Sequence, residues 1–202
     1  MKVLFQGDSI TDACRDKSDY HDLGQGYPKY AAPIIAERHP EIDFEFIDLG
    51  ISGNQTKDLV DRLESDFIDI DPDIVSVMIG LNDTWHHAAE KDWIPNDVFE
   101  QRYRTILEAI KTRTHAKLMM IEPFLIPVED KLFFREDLDP KIQIVRKLAR
   151  EYADVYIPLD GLLAAEFLKH NPTDIAGDGV HPSGLGAEII GKIYADYFEA
   201  LL

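Results

Sequence analysis

Short apolar runs alternate with longer amphipathic segments along the whole chain. The longer segments repeat their apolar residues at helical intervals. The apolar runs predict five strands, at residues 3–5, 44–49, 74–79, 117–121 and 155–157. The helical spacing predicts six helices, at residues 27–38, 59–67, 99–110, 138–152, 162–168 and 185–202.

This alternation of strand and helix predicts the architecture of the chain. Strands joined through helices form right-handed crossovers, which give a parallel sheet covered by helices on both faces. The run at residues 74–79 is apolar except for Ser76, which is typical of a central strand that is buried on both faces. With 202 residues and neither a repeat nor a linker, we expect one α/β domain spanning residues 1–202.

Composition and charge narrow the range of partners. The formal net charge of -17 argues against nucleic acid and anionic membranes, because the surface field repels them. Cys14 is the one cysteine, so an intramolecular disulfide is impossible, which suits a reducing compartment. Without a signal-peptide pattern or a membrane-length apolar run, the sequence favours a cytoplasmic protein acting on a small molecule.

Residues that could take part in acyl transfer follow several of the predicted strands. Ser9 follows the first strand, Gly53 the second and Asn82 the third. Asp178 and His181 lie in the loop before the last helix. Because the carboxyl ends of parallel strands share one edge of a sheet, we expect these residues to meet there.

Together these residue types supply the groups that ester hydrolysis needs. His181 would take the proton from the Ser9 hydroxyl and return it to the leaving alcohol. Asp178, three residues earlier, would orient the imidazole and stabilise its charged form. The backbone N–H groups of Ser9 and Gly53 and the side-chain amide of Asn82 are candidate donors to the oxyanion.

Four segments carry a family resemblance. Residues 7–11 (GDSIT), 50–54 (GISGN), 80–83 (GLND) and 178–182 (DGVHP) resemble, in order and spacing, the four motif blocks of the SGNH or GDSL-type hydrolases. One departure is minor, since Ile10 stands where the name-giving motif has leucine. Residues 48–54, 78–85 and 122–124 look most like the small carbohydrate acetyl esterases, including acetylxylan esterases.

The resemblance implies both a fold and a set of roles. It implies a three-layer, flavodoxin-like α/β/α sandwich with about five parallel strands. It makes Ser9 the nucleophile, His181 the base and Asp178 its orienting acid, with Ser9, Gly53 and Asn82 forming the oxyanion hole. It implies neither a metal nor an organic cofactor.

Other readings compete at individual positions. Ser9 on its own would be an ordinary helix cap, and Asp8 and Asp83 are interpreted as structural caps or turn anchors. His86 and His87 lack a second ligand cluster and are interpreted as surface or pocket-wall residues. Cys14 is interpreted as a small packing residue.

Aromatic residues near the motifs are ambiguous between substrate contacts and packing. Of Trp85, Trp93, Phe124, Phe133 and Phe134, we take only Trp85, beside Asn82, as a substrate contact. The long connection at residues 124–137 is a candidate lid or an interface in a homo-oligomer.

The sequence therefore predicts a serine esterase that hydrolyses small acyl esters, acetyl above all, of carbohydrates through an acyl-enzyme. One alternative within enzymes is a short-chain acyl hydrolase of the lysophospholipase, thioesterase or lipase-like type. A different class stays open as well, namely a flavodoxin-like binding domain without catalysis.

Overall fold

Five short strands form the centre of the computed structural model, which describes residues 1–202. They are β1 (Lys2–Gly7), β2 (Glu45–Asp48), β3 (Ile74–Met78), β4 (Lys117–Ile121) and β5 (Val155–Ile157). All neighbouring pairs are parallel, in the order β2-β1-β3-β4-β5. Every residue of β3 is buried, which confirms the predicted central strand.

Nine α-helices connect and cover the strands. They are α1 (Ser9–Asp12), α2 (Tyr27–Arg38), α3 (Thr56–Asp61), α4 (Asn82–Trp85), α5 (Asn96–Arg113), α6 (Arg135–Tyr152), α7 (Leu159–Glu166), α8 (Pro172–Ile175) and α9 (Gly184–Phe198). A π-helical turn spans Glu64–Ile68, and 3-10 turns span Glu129–Phe134 and Glu199–Leu201. No helix is both long and apolar enough to cross a membrane.

Two hydrophobic cores lie on opposite faces of the sheet. Successive residues of a strand point to opposite faces, so Val3 and Phe5 join one core and Leu4 joins the other. The first core contains the apolar faces of α2, α7 and α9, and the second those of α3 and α5. The result is the three-layer α/β/α arrangement that the sequence predicts.

Several element boundaries match the sequence prediction and others move. Helix α2 and strand β4 have the predicted bounds. The periodic segment at residues 59–67 is divided between α3 and the π-helical turn. Helix α6 begins at Arg135, three residues before the predicted start, and its first turn carries Glu136 and Asp137, which suit the positive end of a helix dipole.

The connection at residues 124–137 is partly core. Phe124, Leu125 and Ile126 are buried in the first hydrophobic core. The N–H of Ile126 donates to the carbonyl of Gly179 at 2.8 Å, so this segment supports the loop before α9. The expectation of a lid or interface is therefore wrong for residues 124–126, because their side chains are needed inside the protein.

The order of the strands creates a cleft at the carboxyl edge of the sheet. The chain leaves β1 toward β2 on one side, and β3 lies on the other side of β1. In doubly wound sheets, this reversal leaves a crevice in which ligands bind. Ser9 follows β1 and Asn82 follows β3, so both lie beside that crevice.

Candidate active site

A cavity of about 680 Å³ lies at the carboxyl edge of the sheet. Its wall includes five of the six residues that the sequence singles out, namely Ser9, Gly53, Asn82, Trp85 and His181. The sixth, Asp178, contacts the side of His181 that faces away from Ser9. The fold thus brings together residues that lie up to 172 positions apart in the chain.

A chain of hydrogen bonds joins three of these side chains. The Ser9 Oγ lies 2.9 Å from His181 Nε2. On the other side of the ring, His181 Nδ1 lies 2.7 Å from Asp178 Oδ2. A carboxylate next to Nδ1 favours the tautomer that is protonated there, which leaves Nε2 able to accept a proton from the hydroxyl.

The loop that carries Asp178 orients its carboxylate locally. The backbone N–H groups of Val180 and His181 donate to Asp178 Oδ1 at 2.9 and 2.8 Å. Burial alone would raise the pKa of Asp178, but the hydrogen bonds from His181 and Val180 lower it below its usual value. The carboxylate therefore stays ionised in the pH range where histidine side chains titrate.

Gly179 makes this loop possible. Its φ of +85° lies in the left-handed region that favours glycine. A Cβ at this position would lie 2.5 Å from Val128 Cγ2 and 3.0 Å from the Ile126 carbonyl oxygen. A larger residue would push the Asp178–His181 turn away from the core.

Helix α1 presents Ser9 at its first position. Asp8 precedes it and accepts a hydrogen bond from the Ile10 N–H at 3.0 Å, which confirms Asp8 as a helix cap. The N–H of a first helical residue has no partner within its own helix. The Ser9 N–H therefore belongs to the orphan donors that make a helix start attractive to negative charge.

Gly53 lies in a tight turn between β2 and α3. The Asn54 N–H donates to the Ile51 carbonyl at 3.1 Å, and Gly53 has a φ of +84°. A glycine with positive φ at the third position is typical of a type II turn. The Gly53 N–H donates to no other group of the protein, so it is available to a ligand in the cavity.

Asn82 is held so that one amide hydrogen is left over. Its side-chain Nδ2 donates to the backbone carbonyl of Asn54 at 3.0 Å. Its backbone carbonyl accepts a hydrogen bond from Gln55 Nε2 at 3.0 Å. Nδ2 carries two hydrogens. The second is therefore free to donate into the cavity, on the wall where Gly53 also lies.

A buried polar network supports α4 beneath Asn82. Asp83 accepts from the Thr56 N–H at 2.9 Å and from its Oγ1 at 2.6 Å, which confirms Asp83 as an anchor. Thr84 Oγ1 donates to Asp137 Oδ2 at 2.6 Å, and Asp137 also pairs with the fully buried Lys141. No local sequence motif indicates this network, because its hydrogen bonds join residues from three different helices, α3, α4 and α6.

Trp85 closes one side of the cavity. Its ring lies 5.4 Å from the ring of His181 and 6.1 Å from that of Phe134, measured between centroids. Lys131 Nζ lies 5.5 Å from the centroid of the Trp85 ring and makes a cation–π contact with it. Phe124 and Phe134 are buried in the core and do not line the cavity.

Further residues line the cavity that sequence reasoning did not select. They include Gln25, Tyr30, Ser52 and Ser183. Cys14 is also on this wall and is exposed, so the interpretation of Cys14 as a packing residue is wrong. Its backbone φ of +65° turns the chain at the end of α1, which leaves the side chain outside the core.

The histidines near Trp85 differ in position. His86 lines the cavity, whereas His87 pairs with Asp92 at 3.4 Å. No group of three or more histidine, cysteine, aspartate or glutamate side chains is arranged to hold a metal ion.

Comparisons with known proteins match this fold. The model of the GDSL-like lipase/acylhydrolase family matches residues 5–189. An acetylxylan esterase from Geobacillus stearothermophilus is 30% identical over 200 residues, covering 96% of this chain and 91% of that protein.

Solved structures are similar over almost the whole chain. A crystal structure of an acetylxylan esterase from Geobacillus stearothermophilus has a TM-score of 0.88 and 28% identity, covering 99% of this chain and 93% of that chain. A Parabacteroides merdae protein described as a GDSL-like lipase has a TM-score of 0.89 and 27% identity, covering 99% and 94% of the two chains.

The fold and these matches define the class of protein as a carboxylic ester hydrolase that acts on acyl esters. The chain belongs to the GDSL-like lipase/acylhydrolase family. Its five-stranded parallel sheet and flanking helices are those of the SGNH/GDSL α/β/α fold.

Proposed function

We propose that this protein, as a single domain over residues 1–202, is a serine esterase that removes acetyl groups from carbohydrate esters through an acyl-enzyme. The observation that carries the proposal is the hydrogen-bonded chain from Ser9 through His181 to Asp178 at the wall of the cavity. A serine activated by a neighbouring base is the arrangement that nucleophilic acyl transfer requires.

In the first half-reaction, Ser9 Oγ attacks the carbonyl carbon of the ester. The hydroxyl proton moves to His181 Nε2, and Asp178 stabilises the resulting imidazolium. The carbonyl oxygen becomes an oxyanion that accepts hydrogen bonds from the N–H groups of Ser9 and Gly53 and from Asn82 Nδ2. Each such donor is worth about 3 kcal/mol of transition-state stabilisation.

The tetrahedral intermediate then collapses. The bond from carbon to the alcohol oxygen breaks, and His181 returns the proton to that oxygen, which releases the alcohol and leaves Ser9 acylated. In the second half-reaction, a water molecule gives a proton to His181 and attacks the acyl carbon. Collapse of this second intermediate releases the carboxylic acid and returns the proton to Ser9 Oγ.

The cavity wall supports a carbohydrate as the alcohol part of the substrate. Gln25, Tyr30 and Ser183 contribute amide and hydroxyl groups, which suit hydrogen bonding to sugar hydroxyls. Trp85 contributes an aromatic ring beside the catalytic histidine and is the proposed substrate contact. These groups are uncharged, in keeping with a neutral small molecule as the partner.

The relatives support the same substrate class and the same three residue types. One solved relative is described as an acetyl-xylooligosaccharide esterase of the Geobacillus source. Three structures of the Geobacillus acetylxylan esterase are described as catalytic mutants in which a serine, an aspartate and a histidine are each replaced by alanine. In that esterase the aspartate and histidine lie three positions apart, as Asp178 and His181 do here.

The test compares wild type with Ser9→Ala on 4-nitrophenyl acetate, butyrate and octanoate, followed by acetate release from acetylated xylooligosaccharides. We expect acetate to be the best acyl group and Ser9→Ala to lose more than about 10,000-fold in kcat with an unchanged melting temperature. Preference for octanoate would favour the lysophospholipase or lipase-like alternative. An inert wild type that also fails to react with a fluorophosphonate probe would favour a binding domain.

A further inference from the structure

The nucleophile helix and the turn that carries Gly53 meet at one buried carboxylate. Asp12 is the last residue of α1, three positions after Ser9, and is only 2% exposed. Its Oδ2 accepts a hydrogen bond from the Ser52 N–H at 2.8 Å and another from Ser52 Oγ at 2.6 Å. Ser52 immediately precedes Gly53, so Asp12 contacts the turn at residues 51–54 directly next to the Gly53 N–H, the proposed oxyanion donor.

The start of this turn is fixed by contacts with the end of β1, with the α1 backbone and with the Arg15 side chain. The Ile51 N–H donates to the Gly7 carbonyl at 3.2 Å, and Arg15 Nε donates to the Gly50 carbonyl at 3.1 Å. A Cβ on Gly50 would lie 2.5 Å from the backbone nitrogen of Asp12. Beyond Ile51 this backbone contact ends, and the Asp12 carboxylate is what joins Ser52 to α1.

The peptide between Ser52 and Gly53 is the one whose direction matters for catalysis. Residues 51–54 form a turn in which Gly53 has a φ of +84°. Type I and type II turns differ in the orientation of their central peptide, and here that peptide joins Ser52 to Gly53. A turn of the other type would point the Gly53 N–H in a different direction, and glycine puts up little steric resistance to that change.

The charge on Asp12 strengthens its hold on Ser52. Burial alone would raise the pKa of Asp12, but the hydrogen bonds from Ser52 and the Lys17 ammonium at 3.2 Å lower it below its usual value. Asp12 is therefore a carboxylate at neutral pH. Hydrogen bonds to an ionised acceptor are roughly twice as strong as neutral ones.

We propose that Asp12 is a positioning residue of the esterase, which holds Ser52 so that the Gly53 N–H points into the oxyanion hole. The proposal rests on the function proposed above. It assigns to Asp12 no contact with the substrate, since Asp12 is buried and does not line the cavity. Its loss should weaken binding of the oxyanion more than binding of the ground-state ester.

The main experiment measures Asp12→Asn on 4-nitrophenyl acetate together with inhibition by phenylboronic acid, which adds to the serine as a tetrahedral anion. We expect kcat to fall about 10- to 100-fold with KM changed by less than about threefold, somewhat less than complete removal of an oxyanion donor. The inhibition constant of the boronate should rise by the same factor by which kcat/KM falls.

Two further variants separate positioning from folding. Ser52→Ala leaves the backbone N–H as a donor to Asp12 and removes only the hydroxyl of an exposed side chain, so it should fold normally and lose about two- to tenfold in kcat. Because both substitutions act through one contact, the double variant should lose no more than Asp12→Asn alone. Asp16→Asn is the matched control, since Asp16 bonds only within its own exposed loop.

The outcomes distinguish this inference from the proposed function. If wild type is active, Ser9→Ala is inert and Asp12→Asn keeps the wild-type kcat/KM, only the role of Asp12 is overturned. The role is overturned too if Asp12→Asn is folded and slower while its boronate inhibition constant is unchanged. An inert wild type overturns the proposed function and this inference together.

Discussion

The two sides of the candidate active-site cavity, here called the oxyanion side (around Asn82) and the base side (Asp178 and His181), are held by different means. On the oxyanion side, Asn82 is 5% exposed and Asp83 and Thr84 are fully buried. On the base side, the side chains of Asp178 and His181 are 41% and 46% exposed. One side is therefore part of the protein interior, and the other lies at its surface.

The contacts on the two sides also differ in range. The oxyanion side depends on partners from distant segments, with Thr84 bonded to Asp137 and Asp83 to Thr56. On the base side, the side chains of Asp178 and His181 are bonded within a local turn, in which the carboxylate accepts from the N–H of His181 and contacts its ring, and the Gly179 carbonyl ties that turn to Ile126. Under the proposed function, the buried side carries the oxyanion donors and the exposed side carries the imidazole that accepts and releases protons.

The largest expected effect breaks the base side. His181→Ala should lower kcat on 4-nitrophenyl acetate by about 100- to 10,000-fold, because no other group can accept the Ser9 proton. Its melting temperature should stay within about 2 °C of wild type, because the exposed ring contributes little to the core. The measurement pairs steady-state kinetics with thermal unfolding of the same sample.

His170→Ala is the matched control for His181→Ala. His170 is a partly exposed histidine that follows α7 and does not line the cavity. It should keep the wild-type kcat. A large decrease in the melting temperature of His181→Ala would mean that the base side contributes to the stability of the fold. That result would contradict the contrast between a buried oxyanion side and an exposed base side.

The next effect concerns stability on the oxyanion side. Lys141→Met removes the fully buried ammonium and leaves Asp137 as an unpaired buried carboxylate. Breaking a buried ion pair in this way costs about 3–5 kcal/mol of unfolding free energy. Urea unfolding at neutral pH measures this loss, and activity per folded molecule should fall as well, since Thr84 loses a fixed acceptor.

Lys192→Met provides the matched control on the surface. Lys192 pairs with Glu188 one helical turn away, and both side chains are largely exposed. Loss of such a pair costs about 0.5 kcal/mol or less. Equal costs for the two lysine variants would contradict the claim that the oxyanion side is supported by buried charge.

The smallest effect concerns the carboxylate that lies next to the nucleophile. Burial raises the pKa of Asp8 to about 7, whereas an unfolded aspartate has a pKa of about 3.9. Between those values the folded state keeps a proton that the unfolded state releases, so this group lowers stability as pH rises through that window. Asp8→Asn should therefore flatten the fall in unfolding free energy between pH 5 and pH 8, as measured by urea unfolding across that range.

Asp48 and Asp16 sharpen this measurement. Burial raises the pKa of Asp48 to about 7 as well, so part of the slope should persist in Asp8→Asn and fall further when Asp48→Asn is added. Asp16 has a pKa below its usual value because Ser18 donates to it, and Asp16→Asn should leave the slope unchanged. An Asp8→Asn variant with the full wild-type slope would show that Asp8 is ionised in the folded protein.

Local patterns were sufficient for much of the fold. The helix at Tyr27–Arg38 was predictable because Pro28 suits a first turn and the apolar residues recur at helical spacing. The strand at Ile74–Met78 was predictable because a β-branched apolar run between Pro72 and Gly80 has few other solutions. Helix α4 was not predictable, since residues 82–85 have the pattern of a turn after Gly80. They are helical in the structure, where Asp83 accepts a hydrogen bond from the distant residue Thr56.

The candidate site divides in the same way. Ser9, Asp178 and His181 stand in short motifs whose local spacing carries their chemistry, and the sequence alone was enough to select them. Asp12 and Asp137 carry no such signal, because their hydrogen-bond partners Ser52 and Thr84 lie 40 and 53 positions away and belong to other segments of the chain.

By itself, the sequence determined the five strands and the longer helices along the chain, the parallel α/β class and the motif residues that meet at the carboxyl edge of the sheet. These follow from periodicity and from short spacings, which are properties of neighbouring residues. Only the tertiary structure decided which carboxylates are buried, which are paired and which wall of the cavity each residue lines. Those properties depend on contacts between distant segments, and a hydrogen bond such as that from Ser52 to Asp12 exists only once the chain has folded.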